Sequence, residues 1–367
     1  MSSLEGLEGL EGLEGLEGLE GLEGLEGLEG LEGLAGGGRS RGGSLQALIR
    51  SREGHLGIAT GRVGYSRPKI TQGAGMKDGL PNGGDYADLA HVSTNVRRKI
   101  MLAELQTSVW LSGNAPSIKI NLAKRGIFVL QRPSYDQFVE QTKLVLSWAD
   151  YRSERAAEIV AQLRPQYAFW ASLLNMNKTL TPCTLDLLAV SLAFASSLVQ
   201  QIKWRLNCPR PIAYSARVQP IIPTPLFGAF PSGHATEAFM VARLLQLLTG
   251  EAPRTDSDPS GSELDNQLQG QADRIATNRV VAGLHFPVDS MAGRALGNYL
   301  AWFIFARAGQ IRTVLPCTFD PSPLNGKEEF DFASVSLQAT QFGTAPEKVR
   351  VATQLSELWK RAASEWQ

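Results

Sequence analysis

The sequence predicts a predominantly α-helical bundle. Three observations point there. From Pro133 onward apolar residues recur at three- and four-residue spacing, prolines and glycines punctuate the chain at helix-length intervals, and no convincing set of alternating strands appears.

The elements follow in order. The chain opens on a tandem tripeptide, Leu-Glu-Gly, repeated ten times from Leu4 to Gly33. A glycine at every third position costs about 1 kcal/mol of helix propensity each time, and leucine at period three drifts around a 3.6-residue helix without making a stripe. Residues 1–45 therefore read as disordered low-complexity sequence, without the basic start and apolar core of a secretory signal. Residues 46–130 are mixed and rich in Gly and Arg, and predict no definite element. Ser134 is placed to cap a helix from Tyr135 to Leu163, with Phe138, Thr142, Val145, Trp148 and Ala149 on one face. Pro165 breaks that run and opens another through Met176. Thr184 is placed to cap a third helix, Leu185 to Asn207, which Pro209 stops. A fourth runs from Ser232 to Leu248 and ends before Gly250. A polar loop, residues 251–266, leads to helices over Gln267–Ala282 and Val288–Ala306, and Glu347–Trp366 reads as a last amphipathic helix. The expected division is a repeat tail at 1–45, a region at 46–130, a helical catalytic domain at 131–310 and an extension at 311–367.

Composition narrows the function. Lys plus Arg and Asp plus Glu both number 36, so the net charge is zero and the basic excess of a nucleic-acid binder is missing. Cys183, Cys208 and Cys317 are odd in number and widely spaced, as in a reduced cytosolic protein. No stretch reaches the roughly 18–20 uninterrupted apolar residues of a membrane span. Leu187–Val199 and Leu296–Ala308 come nearest, but polar residues bound the first and Asn298 interrupts the second. The expectation is a cytoplasmic protein without an integral span, acting on a small molecule.

Three short stretches carry chemistry. Lys203 lies near the end of the third helix and Arg210 follows it by seven residues, about two helical turns, so both leave on one side. Alone, such a pair is usually a solvated charge compensating the helix dipole. In Pro231-Ser232-Gly233-His234 a tight turn enters a helix whose first-turn N–H groups make an anion site. Gly233 admits an anion to the backbone, Ser232 is a good cap, and His234 stands at the edge with a proton to give near neutral pH. Alone, this is an ordinary capped helix. In NRVVAGLHFPVDSMAG, Arg279 precedes His285 by six residues and Asp289 follows it by four. Gly283 can end one helix and Pro287 start the next, leaving His285 in the connection, where Asp289 can hold one ring nitrogen and leave the other to attack or ligate. Together the stretches supply three cations, two histidines, a carboxylate and a helix N-terminus, which is what a tetrahedral oxyanion needs.

The three stretches read K-x6-R-P, P-S-G-H and R-x5-H-x3-D. In that order and spacing they resemble the superfamily joining type 2 phosphatidic acid phosphatases, class A acid phosphatases and vanadium-dependent haloperoxidases. The resemblance covers about 130–310 and implies their helical bundle. It implies that His285 is the phosphohistidine nucleophile, or the ligand if vanadate is bound. Asp289 would orient it, and His234 would protonate the leaving group. Lys203, Arg210, Ser232, Gly233 and Arg279 would hold the phosphate or vanadate. Asn278 stands where the family often has serine and is a candidate additional donor. No cofactor is implied for a phosphatase, whereas vanadate is implied for a haloperoxidase, whose relatives are often dimers or larger. Trp204, Phe230 and Phe286 are candidate pocket walls. Three readings stay open: a metal-independent phosphomonoesterase, a haloperoxidase taking peroxide and halide, and an inactive oxyanion-binding scaffold.

Overall fold

A computed structural model describes residues 92–123, 125–163, 166–250, 262–324 and 339–367, together with Leu89. The expected disorder at 1–45, nearly all of 46–91, Pro165 and the loop residues 251–261 lie outside the described residues. The described residues from Val92 onward belong to one compact unit.

Two helices form the heart of that unit: α7 (Gly233–Thr249) and α9 (Pro287–Arg307). Gly293 and Gly297 lie one turn apart on the α9 face toward α7. A Cβ at Gly297 would overlap the Thr236 carbonyl oxygen, and one at Gly293 would come within 2.8 Å of Ala235 Cβ and Ser232 O. The two missing methyls let the backbones approach, which brings the first turns of both helices together.

Helix α5 (Pro182–Leu206) runs beside this pair. It starts three residues before the expected Leu185, because Pro182 has the φ of a first helical residue and no N–H to leave unpaired. The Thr184 hydroxyl does not cap it. That hydroxyl donates to Glu365 Oε2, and the Glu365 carboxylate accepts from the Cys183 and Thr184 amides, satisfying the positive end of α5. Pro182–Tyr214 is, among the described residues, one stretch long and apolar enough to cross a membrane, where none was expected. However, 72 % of its most apolar window is buried inside the protein. It packs against α1 (Thr94–Gln106), α7 and α10 (Thr353–Ser364).

The expected helix Tyr135–Leu163 is two helices. α2 (Tyr135–Ser147) begins at the expected cap Ser134, and the structure adds a capping box, Ser134 Oγ accepting from Gln137 N and Gln137 Oε1 from Ser134 N. A 3₁₀ turn, Trp148–Tyr151, then redirects the chain into α3 (Arg152–Ala161), which lies along α8 (Glu263–Val281). The short α4 (Tyr167–Leu174) also packs on α8, and a single turn, α6 (Pro211–Tyr214), follows α5.

The all-α expectation is corrected by two small sheets. β1 (Val109–Asn114), β2 (Ser117–Leu122), β3 (Arg125–Gln131), β5 (Cys317–Phe319) and β6 (Thr340–Phe342) form one sheet in that order, and β4 (Thr313–Val314) pairs with β7 (Glu347–Lys348). Leu111 faces Ile120, Ile120 faces Phe128, and β3 runs parallel to β5 with Phe128 beside Cys317. Ile118 and Ile120 are buried with Lys119 exposed between them, the period-two pattern of a one-faced strand. Pairing of β3 with β5 joins the chain before residue 131 to the chain after 310. Glu347 and Lys348 belong to β7, so the last helix starts at Thr353 and not at Glu347.

Candidate active site

The cationic side of the site begins at the end of α5. Asn207 ends the helix in the left-handed conformation, and Cys208–Pro209 turns the chain so that Arg210 comes back toward Lys203. Neither is the solvated charge that a helix end usually carries: Lys203 is 1 % exposed and Arg210 5 %. The Phe227 ring lies under both, 4.7 Å from Lys203 Nζ and 5.2 Å from Arg210 Cζ, so a half-buried aromatic face stabilises two buried cations. Arg210 Nε donates to the Phe227 carbonyl at 3.1 Å and Nη1 to the Leu284 carbonyl at 3.3 Å. Those two bonds tie it to the loop before Pro-Ser-Gly-His and to the residue before His285.

Ser232 caps α7 as expected, its Oγ accepting from Ala235 N. Its own amide donates to the Asp289 carbonyl at 2.9 Å, which locks the start of α7 to the first turn of α9. A Cβ added at Gly233 would meet Val199 Cγ1 at 3.9 Å and nothing closer. The protein itself leaves that space, which suits a group bound at the helix N-terminus.

His285 sits in the connection between α8 and α9. Gly283 makes that connection possible with φ +84°, and a Cβ there would strike Arg152 Nη2 and Val218 Cγ1. Arg152 holds the same corner by donating to the Val281, Gln219 and Val218 carbonyls. The ring is fixed by its two partners. Nδ1 lies 3.0 Å from Asp289 Oδ2, and Nε2 lies 3.2 Å from Arg210 Nη1. A guanidinium only donates, so Nε2 must present its lone pair and Nδ1 carries the proton to Asp289. Asp289 Oδ2 also accepts from the Phe286 amide at 2.9 Å. Burial pushes the Asp289 carboxyl up to about 7, against the pull of the Phe286 amide, Lys203 and Arg210. Burial, and then Arg210, Lys203, His234 and Arg279, hold His285 well below the usual imidazole range. A neutral His285 makes this contact a hydrogen bond and not an ion pair.

His234, in the first turn of α7, is also shifted well down, by burial and then by Arg279 and Lys203. A bond to the Gln162 backbone carbonyl opposes the shift. Arg279 is fully buried at the end of α8, where Nη2 donates to the Ile159 carbonyl and to Gln162 Oε1, both at 2.9 Å. Every cation and histidine expected from the sequence is therefore within electrostatic reach of His285.

Residues 185–312 match the PAP2 superfamily model. Over that segment the chain is similar to the PAP2 superfamily. No curated protein matches the chain. Members of the superfamily are commonly hydrolytic phosphatases. All three motifs, Lys203 to Asp289, fall inside the matched PAP2 segment, whereas α3 and its Ile159 and Gln162 lie before it.

Three placements differ from expectation. Asn278, a candidate donor to the anion, donates instead to Gln162 Oε1 at 3.1 Å and accepts from Arg155 Nη1 at 3.3 Å. Trp204 is 78 % exposed, and Phe230 and Phe286 are buried in the core, where Phe286 packs on Phe138 and Tyr214. The aromatic that meets the PAP2 cations is Phe227. Its position in the loop three residues before Phe230 was the available signal. Gln162 had none, since nothing in its local sequence points to residues more than a hundred positions away.

Proposed function

We propose that this protein is a phosphoric monoester hydrolase working through a phosphohistidine on His285, with no metal ion in its chemistry. The observation that carries this reading is the tautomer of His285. Its proton is held on Nδ1 by Asp289, so the Nε2 lone pair faces the Arg210 guanidinium, with Lys203 and Arg279 acting on the ring electrostatically.

A dianionic phosphate ester entering the cluster would take donors from Lys203, Arg210, Arg279, Ser232 and the first amides of α7. Arg210 would then turn from Nε2 to a phosphoryl oxygen and release the nucleophile. Nε2 attacks phosphorus and the bond to the ester oxygen breaks. His234 gives that oxygen its proton, and Asp289 stabilises the positive charge left on His285. Charge develops on the equatorial oxygens, where the cations are already fixed. Water then attacks the phosphoryl group with His234 as base, the P–N bond breaks, and phosphate leaves with His285 again neutral. In the resting site His234 is neutral. The negative charge of the substrate offsets Arg279 and Lys203 and lets His234 take up the proton it later donates.

The same donor set, and the open space at Gly233, also fit orthovanadate, with His285 as its ligand. Bound there, vanadate would supply peroxide activation for halide oxidation.

The test is hydrolysis of p-nitrophenyl phosphate by the purified protein, with and without orthovanadate, beside His285→Ala. Hydrolysis that vanadate inhibits and the variant lacks is the expected result. Halide oxidation that needs added vanadate and peroxide, in place of hydrolysis, would make the protein a haloperoxidase. Oxyanion binding with neither activity would leave an inactive scaffold. On this reading the partner is a small phosphomonoester in the cytoplasm.

A further inference from the structure

The end of α3 supplies a part of the site that none of the motifs contains. Gln162 follows the helix directly and is fully buried. Its Oε1 accepts from Arg279 Nη2 at 2.9 Å and from Asn278 Nδ2 at 3.1 Å, and its Nε2 donates to Glu158 Oε1 at 3.1 Å. The amide has one possible orientation, because two donors face one end and a carboxylate faces the other. Glu158 is itself held by Arg274, whose Nη2 lies 2.8 Å from Glu158 Oε2. Gln162 thus touches the anion-binding arginine from outside the three motifs.

The helix end reinforces the contact. Ile159 O lies among the last carbonyls of α3, which have no partner within the helix, and Arg279 Nη2 supplies one. The negative end of the α3 dipole thus faces the arginine's positive charge.

We infer that Gln162 is a positioning residue: its amide oxygen sets the direction of Arg279 toward a bound oxyanion. The inference rests on the oxyanion site proposed above, but not on which reaction that site runs. A neutral acceptor is the suitable choice. It fixes the guanidinium without cancelling its charge, whereas a carboxylate at the same place would compete with the anion for it. Asn278 then acts through Gln162, holding its oxygen from the other side.

The experiment compares Gln162→Met, which keeps the shape and removes the acceptor, with Gln162→Glu, which keeps the acceptor and adds charge. Sulfate and orthovanadate binding are measured by calorimetry, kcat and KM with p-nitrophenyl phosphate, and folding by Tm. We expect Gln162→Met to lose about 100-fold in kcat, as small misplacements in active sites do, and to bind both anions about tenfold more weakly. Gln162→Glu should bind sulfate more weakly than Gln162→Met, since it sets a negative charge beside Arg279. A merely structural role would lower Tm and the active fraction and leave KM and both dissociation constants unchanged. That result, or two variants within about twofold of wild type in anion affinity, overturns the inference. Should Gln162→Met fail to fold, the sulfate affinity of the isosteric Gln162→Glu decides the matter alone. Wild-type protein that binds sulfate but hydrolyses nothing would sink the hydrolase reading, and the binding comparison would still test Gln162. Wild-type protein that binds neither anion removes the oxyanion site and the role of Gln162 together.

Discussion

The two halves of the oxyanion site are built differently. Lys203 and Arg210 are supported chiefly by their own neighbourhood, where the end of α5, the turn at Pro209 and the loop through Phe227 fold back on each other, with one bond from Arg210 to Leu284 beyond it. Their support is an aromatic face and two carbonyls. Arg279 is supported from far along the chain, by the last turn of α3, through one carbonyl and one amide oxygen. An aromatic face tolerates some sliding of the cation over it, whereas a guanidinium bonded to two fixed oxygens has one direction. Both arginines therefore have a fixed aim, and what the first half adds is the Phe227 face that Arg210 shares with Lys203. Arg210 contacts the His285 ring directly, and Arg279 acts on His234 electrostatically.

The contrast can be broken at several points. The largest effect is expected at the shared centre. Asp289→Asn can reverse the hydrogen bond to Nδ1 and place a proton on Nε2, facing the Arg210 guanidinium. The expected loss in kcat is roughly a thousandfold or more, measured with p-nitrophenyl phosphate. A variant within tenfold of wild type would show that the tautomer does not matter.

Arg210→Lys keeps the charge and removes the fork that reaches Phe227 O, Leu284 O and His285 together. The expected cost is about 100-fold in kcat/KM, and an unimpaired variant would reduce Arg210 to a point charge. Phe227→Leu removes the aromatic face and leaves the polar contacts. About 1 kcal/mol lost from two cation–π contacts predicts sulfate affinity roughly fivefold weaker with kcat less affected. If Phe227→Leu cost as much as Arg210→Lys, the aromatic face and not the two carbonyls would be what aims Arg210.

The smallest effect is a fraction of a proton. His234 and His285 are held below their usual range by the cations and by burial. A bound dianion offsets the cations and raises both imidazoles, so binding takes up protons and affinity falls as pH rises. Sulfate keeps its charge across that range, so calorimetry in buffers of different ionisation enthalpy reads the uptake directly. Proton release on sulfate binding would contradict the assigned resting states.

How much of this was legible in the sequence follows the same division. The motif residues announced themselves because a proline turn, a capped helix start and a histidine between two helices each leave a local mark. Ser232 capping α7 and Asp289 holding His285 Nδ1 are both found as read. The all-α class missed β1–β3, although Ile118-Lys119-Ile120 alternates with period two, because Gly and Arg around the strands mask so short a pattern. The break at Trp148–Tyr151 left no proline or glycine to read. Gln162 was invisible because its meaning comes from α8, more than a hundred residues later. Asn278 was legible as a polar residue beside Arg279, but its partner was not.

The most direct test of the central claim is to trap the intermediate. Wild-type protein mixed with a labelled phosphomonoester and quenched in base should carry a base-stable, acid-labile phosphoryl group, mapped by peptide analysis to His285. The same protein as His285→Ala should carry none. A wild-type enzyme that turns over with no phosphoryl group on His285, or with the group on another residue, would contradict the account.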